Sequence, residues 1–457
     1  MVDFVQLPSD GSGKKVHTAT HLIEGESVNT QVVHIGDRLD PTHQQSVDSK
    51  GAANVRFAEG EPIMDAFGDL KVSNAHTIAT YEHTCDSNDD LYTTITSNGG
   101  SYAHDPGTAS ILLTTTTNVS SSVQRISNRC HYYLPGSGQL ILLTVGLGDV
   151  GKSNNTRNWG VATENNGIFF NLAGTTLNFV LRSNTSGSPV ETVIPRASWN
   201  IDKLDGTGLS DITLNLSKVQ IYWIDYQWLG AGRVRFGVVA PDGARITAHI
   251  IQNAGSHSTV YMRQPHLPIR LENYNTGVVS GGSDLRFNCA SVKTEGFVEY
   301  AFWRFMYERS AAKTLTTSDL PVLSLRSKTT FNTVPNRCNA YPESLSLFVT
   351  GGPIKVTLYW PVTLNGATWA IADNYSTLEA DEAATSLTID GDEWIMRSFY
   401  LNTGASEIEL AEYFETVDEG ILLAADGTAA PFVIAAKKLN GGDTVTLFCG
   451  LNYKELR

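Results

Sequence analysis

Basic residues are scarce relative to acidic ones: 33 Lys and Arg stand against 47 Asp and Glu, a formal charge of −14. That sign excludes nucleic acid or an anionic membrane as the main partner. Long apolar runs are missing too, since none reaches the ~18 residues a membrane-spanning helix needs. The opening MVDFVQLPSDGSGKK lacks the charged-then-apolar order of a secretion signal. No membrane insertion is expected. The five cysteines, Cys85, Cys130, Cys289, Cys338 and Cys449, are so widely separated that no CxxC or Cys/His ligand spacing arises, and no zinc site follows. What the chain does have is glycine, forty residues of it, with abundant Ser, Thr and Asn, the composition of an all-β protein with many turns. Its 457 residues exceed one ordinary core and predict two domains plus appendages.

The most regular stretch runs from Ser217 to Gly277. In VQIYWIDYQW both alternating sets are largely apolar, Val219, Ile221 and Trp223 on one face and Tyr222, Ile224, Tyr226 and Trp228 on the other. This pattern predicts a strand covered on both sides. Two glycines within Leu229 to Gly232 supply a turn, and RVRFGVV then alternates Arg233 and Arg235, expected to face water, with Val234, Phe236 and Val238. Pro241, Asp242 and Gly243 turn the chain again into ARITAHIIQN. An antiparallel meander of three consecutive strands is expected.

The run QIYWIDYQWLGAGRVRFGVV, the histidine of TAHIIQN and VYMRQPHLPIRLENYNTG follow, in order, VDSKGAANVRFAEGEP, DAFGDLKVSNAHTI, NWGVATENNGIFF and SWNIDKLDGTG. Together these motifs resemble structural proteins of tailed-bacteriophage virions, those of marine and cyanobacterial phages especially. The resemblance spans Val47 to Gly277. It implies a virion protein, assembled in the host cytoplasm beside other virion proteins, and it brings no catalytic residue, cofactor or metal with it. In that reducing compartment free, mostly buried thiols are expected.

The rest of the chain divides around this stretch. Residues 1–60 carry few aromatics and only short alternations such as VNTQVVHI, and read as an extended N-terminal arm. Its Val28, Val32, Val33 and Ile35 suit strand addition to a neighbour's sheet edge. His17 and His21 have the spacing of a helical metal pair, but without a helical pattern or a matching carboxylate they read as solvated. From Glu61 short alternating strands recur between Asn, Gly, Ser and Pro clusters, predicting a first antiparallel β-sandwich or jelly-roll-like domain over 61–309. The polar segment SAAKTLTTSDLP marks a linker over 310–321, and a second β-sandwich is expected over 322–457 with a short helix around Ile408 to Phe414. No 20–50 residue self-similarity supports a solenoid, propeller or β-helix.

GLGDVGKS, Gly146 to Ser153, satisfies both GxxxxGKS and GxGxxG. A nucleotide site needs a helix after the glycines, its N-terminus facing the phosphates with Lys152 and Ser153 in reach. SNNTRNWGVATENNG has no helical period, and Glu164 comes too soon for a ribose-binding acid, so a glycine-rich hairpin loop is expected. Asp202 with Asp205, and Asp390 with Asp392, read as turn residues before they read as a glycosidase pair. Of the eight tryptophans, Trp159, Trp199 and Trp369 adjoin loop-like sequence and are the candidate glycan contacts.

Three functions follow in order. The first is a virion structural component in tail, baseplate or fibre, docking through its arm and forming a homo-oligomer, a trimer for preference. The second is a receptor-binding, lectin-like tail module that takes host surface glycan, and a capsid decoration protein is a separate alternative to the tail location. The third, with least support, is a glycan-cleaving tail enzyme; the sequence offers no catalytic constellation for it.

Overall fold

The computed structural model describes residues 3–6, 15–23, 26–31, 75–295, 302–389, 394–411, 414, 420–421, 423 and 427–456. The chain is all-β, and among the described residues no helix is long and apolar enough to cross a membrane. It forms two compact units, Met1–Glu59 and Gly60–Arg457. In the first unit β1 (Asp3–Gln6), β2 (Lys15–Ile23) and β3 (Glu26–Gln31) pair in chain order as an antiparallel meander. The expected arm is thus paired backbone at these residues. Val28 lies in β3 opposite His21, while Val32, Val33 and Ile35 fall outside the described residues. His17 and His21 both lie in the strand β2, which removes the helical spacing of a metal pair.

The second unit begins with β4 (His76–Glu82), β5 (Tyr92–Ser97), β6 (Ser101–Asp105), β7 (Ser110–Thr115) and β8 (Ser122–Ser127). It continues through β9 (Gln139–Gly146), β10 (Asn155–Ala162), β11 (Gly167–Ala173), β12 (Thr176–Ser183) and β13 (Val190–Pro195). Then come β14 (Val219–Tyr226), β15 (Val234–Val239), β16 (Arg245–Ile251), β17 (Ile269–Asn275) and β18 (Ser283–Thr294). One sheet runs β13-β12-β11-β10-β17-β8-β5, the other β16-β15-β14-β9-β18-β7-β6 with β4 on β18. Alternation points Trp159, Phe170, Phe179 and Leu271 of the first sheet at Leu143, Tyr222, Phe236 and Phe287 of the second, and these rings and aliphatics form one buried core.

The meander at β14 to β16 is observed, but its two faces depart from expectation. Tyr222, Ile224 and Tyr226 are buried, as is Trp223, whereas Val219 is 54% and Ile221 38% exposed. Arg235 faces no water: it is buried against Asp225, with which it forms an ion pair. A guanidinium beside a carboxylate can occupy a covered face that alternation alone assigns to solvent.

The second sandwich starts earlier than the composition suggests. Its strands are β19 (Trp303–Glu308), β20 (Lys313–Thr314), β21 (Leu320–Ser327), β22 (Thr330–Phe331) and β23 (Val334–Pro335). They continue as β24 (Asn339–Thr350), β25 (Ile354–Trp360), β26 (Thr363–Asn365), β27 (Ala370–Ile371) and β28 (Leu378–Asp381). The last are β29 (Ser386–Thr388), β30 (Trp394–Leu401), β31 (Gly404–Glu409), β32 (Phe432–Lys438) and β33 (Thr446–Leu456). A sheet β19-β33-β24-β31 packs on β27-β28-β21-β32-β25-β30 over a core that includes Leu345, Leu447, Val356 and Ile434. Because β19 and β20 both pair with β33, residues of the expected linker and of the strand before it belong to this sandwich. Phe305 and Tyr307 pack against its core, which is what draws β19 across. Ile408 lies in β31, and the expected helix is seen at the described residues Ala411 and Phe414, where Phe414 N–H donates to the Leu410 carbonyl at 3.1 Å.

Candidate functional site

In the seven-stranded sheet every second side chain turns away from the core. The register places Asn178 opposite Asn171, Asn171 opposite Asn158, Asn158 opposite Glu272 and Glu272 opposite Gln124. These residues close into a ladder across five strands. Asn178 Nδ2 donates to Asn171 Oδ1 at 2.8 Å, Asn171 Nδ2 to Asn158 Oδ1 at 2.6 Å, and Asn158 Nδ2 to Glu272 Oε2 at 2.6 Å. From the other side Arg270 donates through Nε to Glu272 Oε1 at 2.6 Å and through a terminal nitrogen to Gln124 Oε1 at 2.8 Å. Burial pushes the Glu272 carboxyl up, but the Arg270 charge and the Asn158 hydrogen bond outweigh it and hold it below the usual range. The amide dipoles therefore run in one direction and end on a carboxylate that stays ionised.

Arg270 also lines a cavity of about 180 Å³ between the two sandwiches. Ile126 and Pro268 from the first sandwich and Pro335 and Leu423 from the second give it apolar walls, and Arg337 supplies a second guanidinium. The backbone that carries Arg337 is fixed on both sides. Asn336 N–H donates to the Thr329 carbonyl and Asn336 Nδ2 to the Thr377 carbonyl, both at 3.1 Å, while Cys338 N–H donates to Asn336 Oδ1 at 3.0 Å. Arg337 Nε is buried and finds no acceptor. Cys130 lines the same cavity, and burial raises its thiol pKa against the opposing pull of the Arg337 charge.

A different surface lies on the second sandwich, on the face of the sheet β19-β33-β24-β31 that points away from its core. Phe348 stands opposite Phe448, Ser346 between Gly450 and Glu407, and Ser344 between Asn452 and Glu409, while Met306 extends the row from β19. Met306 is 61%, Phe348 47% and Phe448 39% exposed. Two adjoining hollows of about 500 and 550 Å³ share Met306; among the described residues four carboxylates, Glu308, Glu343, Glu407 and Glu409, line them against one guanidinium, Arg304. The surface is open, part apolar and acidic.

The tryptophans singled out in the sequence are not brought together. Trp159 is fully buried in β10 with its ring stacked on Phe170 at 5.6 Å, and Trp199 is buried against Phe179 at 4.0 Å. Neither face of either ring is free for a sugar, because the hydrophobic core already covers it. Trp369 differs: it is half-buried, with the Arg326 guanidinium 4.2 Å from its ring centroid. Arg326 is itself held by Glu379 at 2.9 Å.

GLGDVGKS is a crossing between sheets, from β9 in one to β10 in the other, and not a hairpin. Its polar groups serve the fold. Asp149 pairs with the buried Arg157, Asp149 Oδ1 also accepts from Gly151 N–H at 2.8 Å, and the Lys152 ammonium donates to the Gly282 carbonyl. Asp202 accepts the Leu204 and Ser210 N–H groups at 2.8 and 2.9 Å, and Asp205 accepts from Thr207, as turn residues do. Asp390 and Asp392 lie outside the described residues.

Sequence reasoning passed over the asparagine ladder. Its signal was present, one asparagine on the same face of NTRNWGVA, GIFFNLA and TLNFVLRS, but only the strand register aligns them. Arg337 had no signal at all.

No family model matches the chain, and no curated protein matches it. Among solved structures it is similar to the legume lectin-like domain from Entamoeba histolytica, with 9% identity over 48% of this chain and 98% of that one at a TM-score of 0.30. It is similar to the CBM2 module of the evolved Dit of Lactobacillus casei BL23 phage J-1, with 8% identity over 50% and 99% at 0.31. It is similar also to a beta-1,3-glucanase from Mycobacterium marinum, with 11% identity over 47% and 98% at 0.30. Likeness of this degree carries no function across.

Proposed function

We propose that the chain is a structural component of a tailed-phage virion, in the tail, baseplate or fibre, where its open sheet face is covered by a neighbouring subunit. The observation that carries this reading is that face itself, with Met306, Phe348 and Phe448 exposed on one face of the sheet β19-β33-β24-β31. The motif resemblance over Val47 to Gly277 supports the same setting. The acidic lining disfavours a face-to-face pair of identical patches, since Glu308, Glu407 and Glu409 would meet their own copies. A head-to-tail contact avoids that repulsion, and a closed ring of three satisfies it with the fewest copies beyond a dimer. Mass spectrometry of separated tails and heads tests the location, and light scattering tests the trimer. Phe348→Ser with Phe448→Ser should leave melting within error and shift the protein to monomer; a wild-type monomer at particle-like concentration, or a double variant that remains trimeric, refutes the assembly face.

A second reading, glycan binding, is favoured by the polar ladder, the junction cavity beside it and the half-buried Trp369 ring. Sugars are bound by directional hydrogen bonds beside an apolar or aromatic wall. Affinity electrophoresis in neutral and acidic polysaccharides tests it, and unretarded migration in every gel counts against it.

A further inference from the structure

The cavity between the sandwiches, which the glycan reading invokes only as a hollow, contains an arrangement that reading leaves unassigned. Arg337 lines it on a backbone held by the Asn336 hydrogen bonds, its Nε is buried with no acceptor, and it enters no hydrogen bond or ion pair with the described residues that flank it. An arginine whose desolvated N–H is left unmatched is costly unless something else satisfies it. The nearby groups do not. The Arg270 guanidinium repels it and is already matched by Glu272 and Gln124, and Glu164, the one carboxylate among the described lining residues, is exposed. Cys130 remains a neutral thiol because burial raises its pKa.

The walls constrain the rest of the ligand. Ile126, Pro268, Pro335 and Leu423 are apolar, so the bound group has a hydrocarbon face as well as a negative end. A volume of about 180 Å³ is small; it corresponds to about six waters at ~30 Å³ each, the scale of one sugar ring and well below a drug-sized pocket. A bare inorganic anion would leave most of those walls uncovered. We propose that the junction cavity binds one acidic pyranose, a uronate or equivalent carboxylate-bearing sugar, with Arg337 taking the carboxylate and the prolines, Ile126 and Leu423 facing the ring. Because its walls come from both sandwiches, the ligand also ties them together, and its binding stabilises the unit by mass action. The planar fork of arginine matches a carboxylate through two parallel hydrogen bonds, a geometry lysine lacks.

The inference takes its ligand class from the glycan reading, and the test separates the two. The full chain is titrated with glucuronate, glucose and inorganic phosphate by calorimetry, and melting is followed with each. The expected result is saturable glucuronate binding, at least tenfold weaker glucose binding, and a melting temperature raised by glucuronate alone. Arg337→Gln should abolish the glucuronate effect at an unchanged ligand-free melting temperature, while Arg337→Lys should weaken it by an intermediate factor. Equal affinity for glucose and glucuronate, tighter binding of phosphate than of glucuronate, undiminished binding by Arg337→Gln, or no saturable binding each overturns the proposal. Retardation in a neutral polysaccharide gel that survives Arg337→Gln would leave the broader glycan reading standing while this site fails.

Discussion

Trp223 occupies the space that a side chain at Gly237 would need. The two residues are paired across β14 and β15, and a Cβ built on Gly237 would lie 2.5 Å from the indole Cε2 and Cζ2 and 2.0 Å from the Ile246 carbonyl oxygen. The indole is buried and its Nε1 donates to the Val238 carbonyl at 3.1 Å, so the ring cannot swing away without losing that bond. Gly237→Ala is accordingly expected to destabilise the first sandwich by about 1–3 kcal/mol, the range for overpacking. Urea denaturation with an unchanged midpoint would contradict it.

The neighbouring Phe236 tests the opposite face of the same strand. It is fully buried and stacks on Phe179 at 4.3 Å between centroids. Phe236→Ala should cost about 3–5 kcal/mol, and Trp223→Ala a similar amount. Val219→Ala, on the exposed end of β14, should stay within about 0.5 kcal/mol. Equal melting of all three variants would show that the core is elsewhere.

Glu272 ties the ladder to Arg270, and both side chains are 8% exposed. Glu272→Gln leaves the guanidinium charge buried without its counter-ion and is expected to cost about 3–5 kcal/mol. Asn171→Ala removes amide contacts without stranding a charge, and should cost about 1 kcal/mol. Denaturant unfolding that ranks Asn171→Ala above Glu272→Gln would sink the view that the ladder is organised around the carboxylate.

Four histidines depressed by burial set the response to acid. Burial lowers His131 to about 3 and His83, His249 and His266 to about 4, with the Arg129 charge adding to the effect at His131. His131 Nδ1–H donates to the Leu267 carbonyl at 2.8 Å and Nε2 accepts from the Tyr81 hydroxyl at 2.9 Å, which requires the neutral ring. The unfolded chain takes up these protons near the ordinary histidine pKa and the folded one only near 3 to 4. Stability is therefore complete above about pH 6.5 and declines as pH falls below it. His131 alone should account for about 2 kcal/mol between pH 7 and pH 5. Unfolding free energies measured at pH 7, 6 and 5 should fall, and His131→Gln should flatten the slope; stability that rises on acidification reverses the argument.

The sequence by itself determined the all-β class and the three-strand meander of β14 to β16. Alternation with period two and turn residues at β14–β15 and β15–β16 are local properties, and local chain geometry is what they control. It also identified that no helix follows GLGDVGKS, where β10 stands, because a missing helix is visible as a missing period. Its errors came where burial depends on partners distant in the chain. Trp159 and Trp199 sit beside loop-like sequence yet are buried, since β10 meets β17 across more than a hundred residues and Phe179 arrives from β12 to cover Trp199. Arg235 breaks the wet-face pattern because Asp225 is brought opposite it by the register of β14 and β15. The boundary of the second sandwich was drawn by composition, whereas β33, near the end of the chain, pairs with β19. Only the tertiary structure decided that Asn158, Asn171, Asn178, Glu272 and Arg270 form one ladder and that Arg337 closes a cavity beside it. Side-chain type is written in the sequence, but which polar atoms share a face, and which are left unmatched, is fixed by strand order and register, through contacts that no local pattern contains.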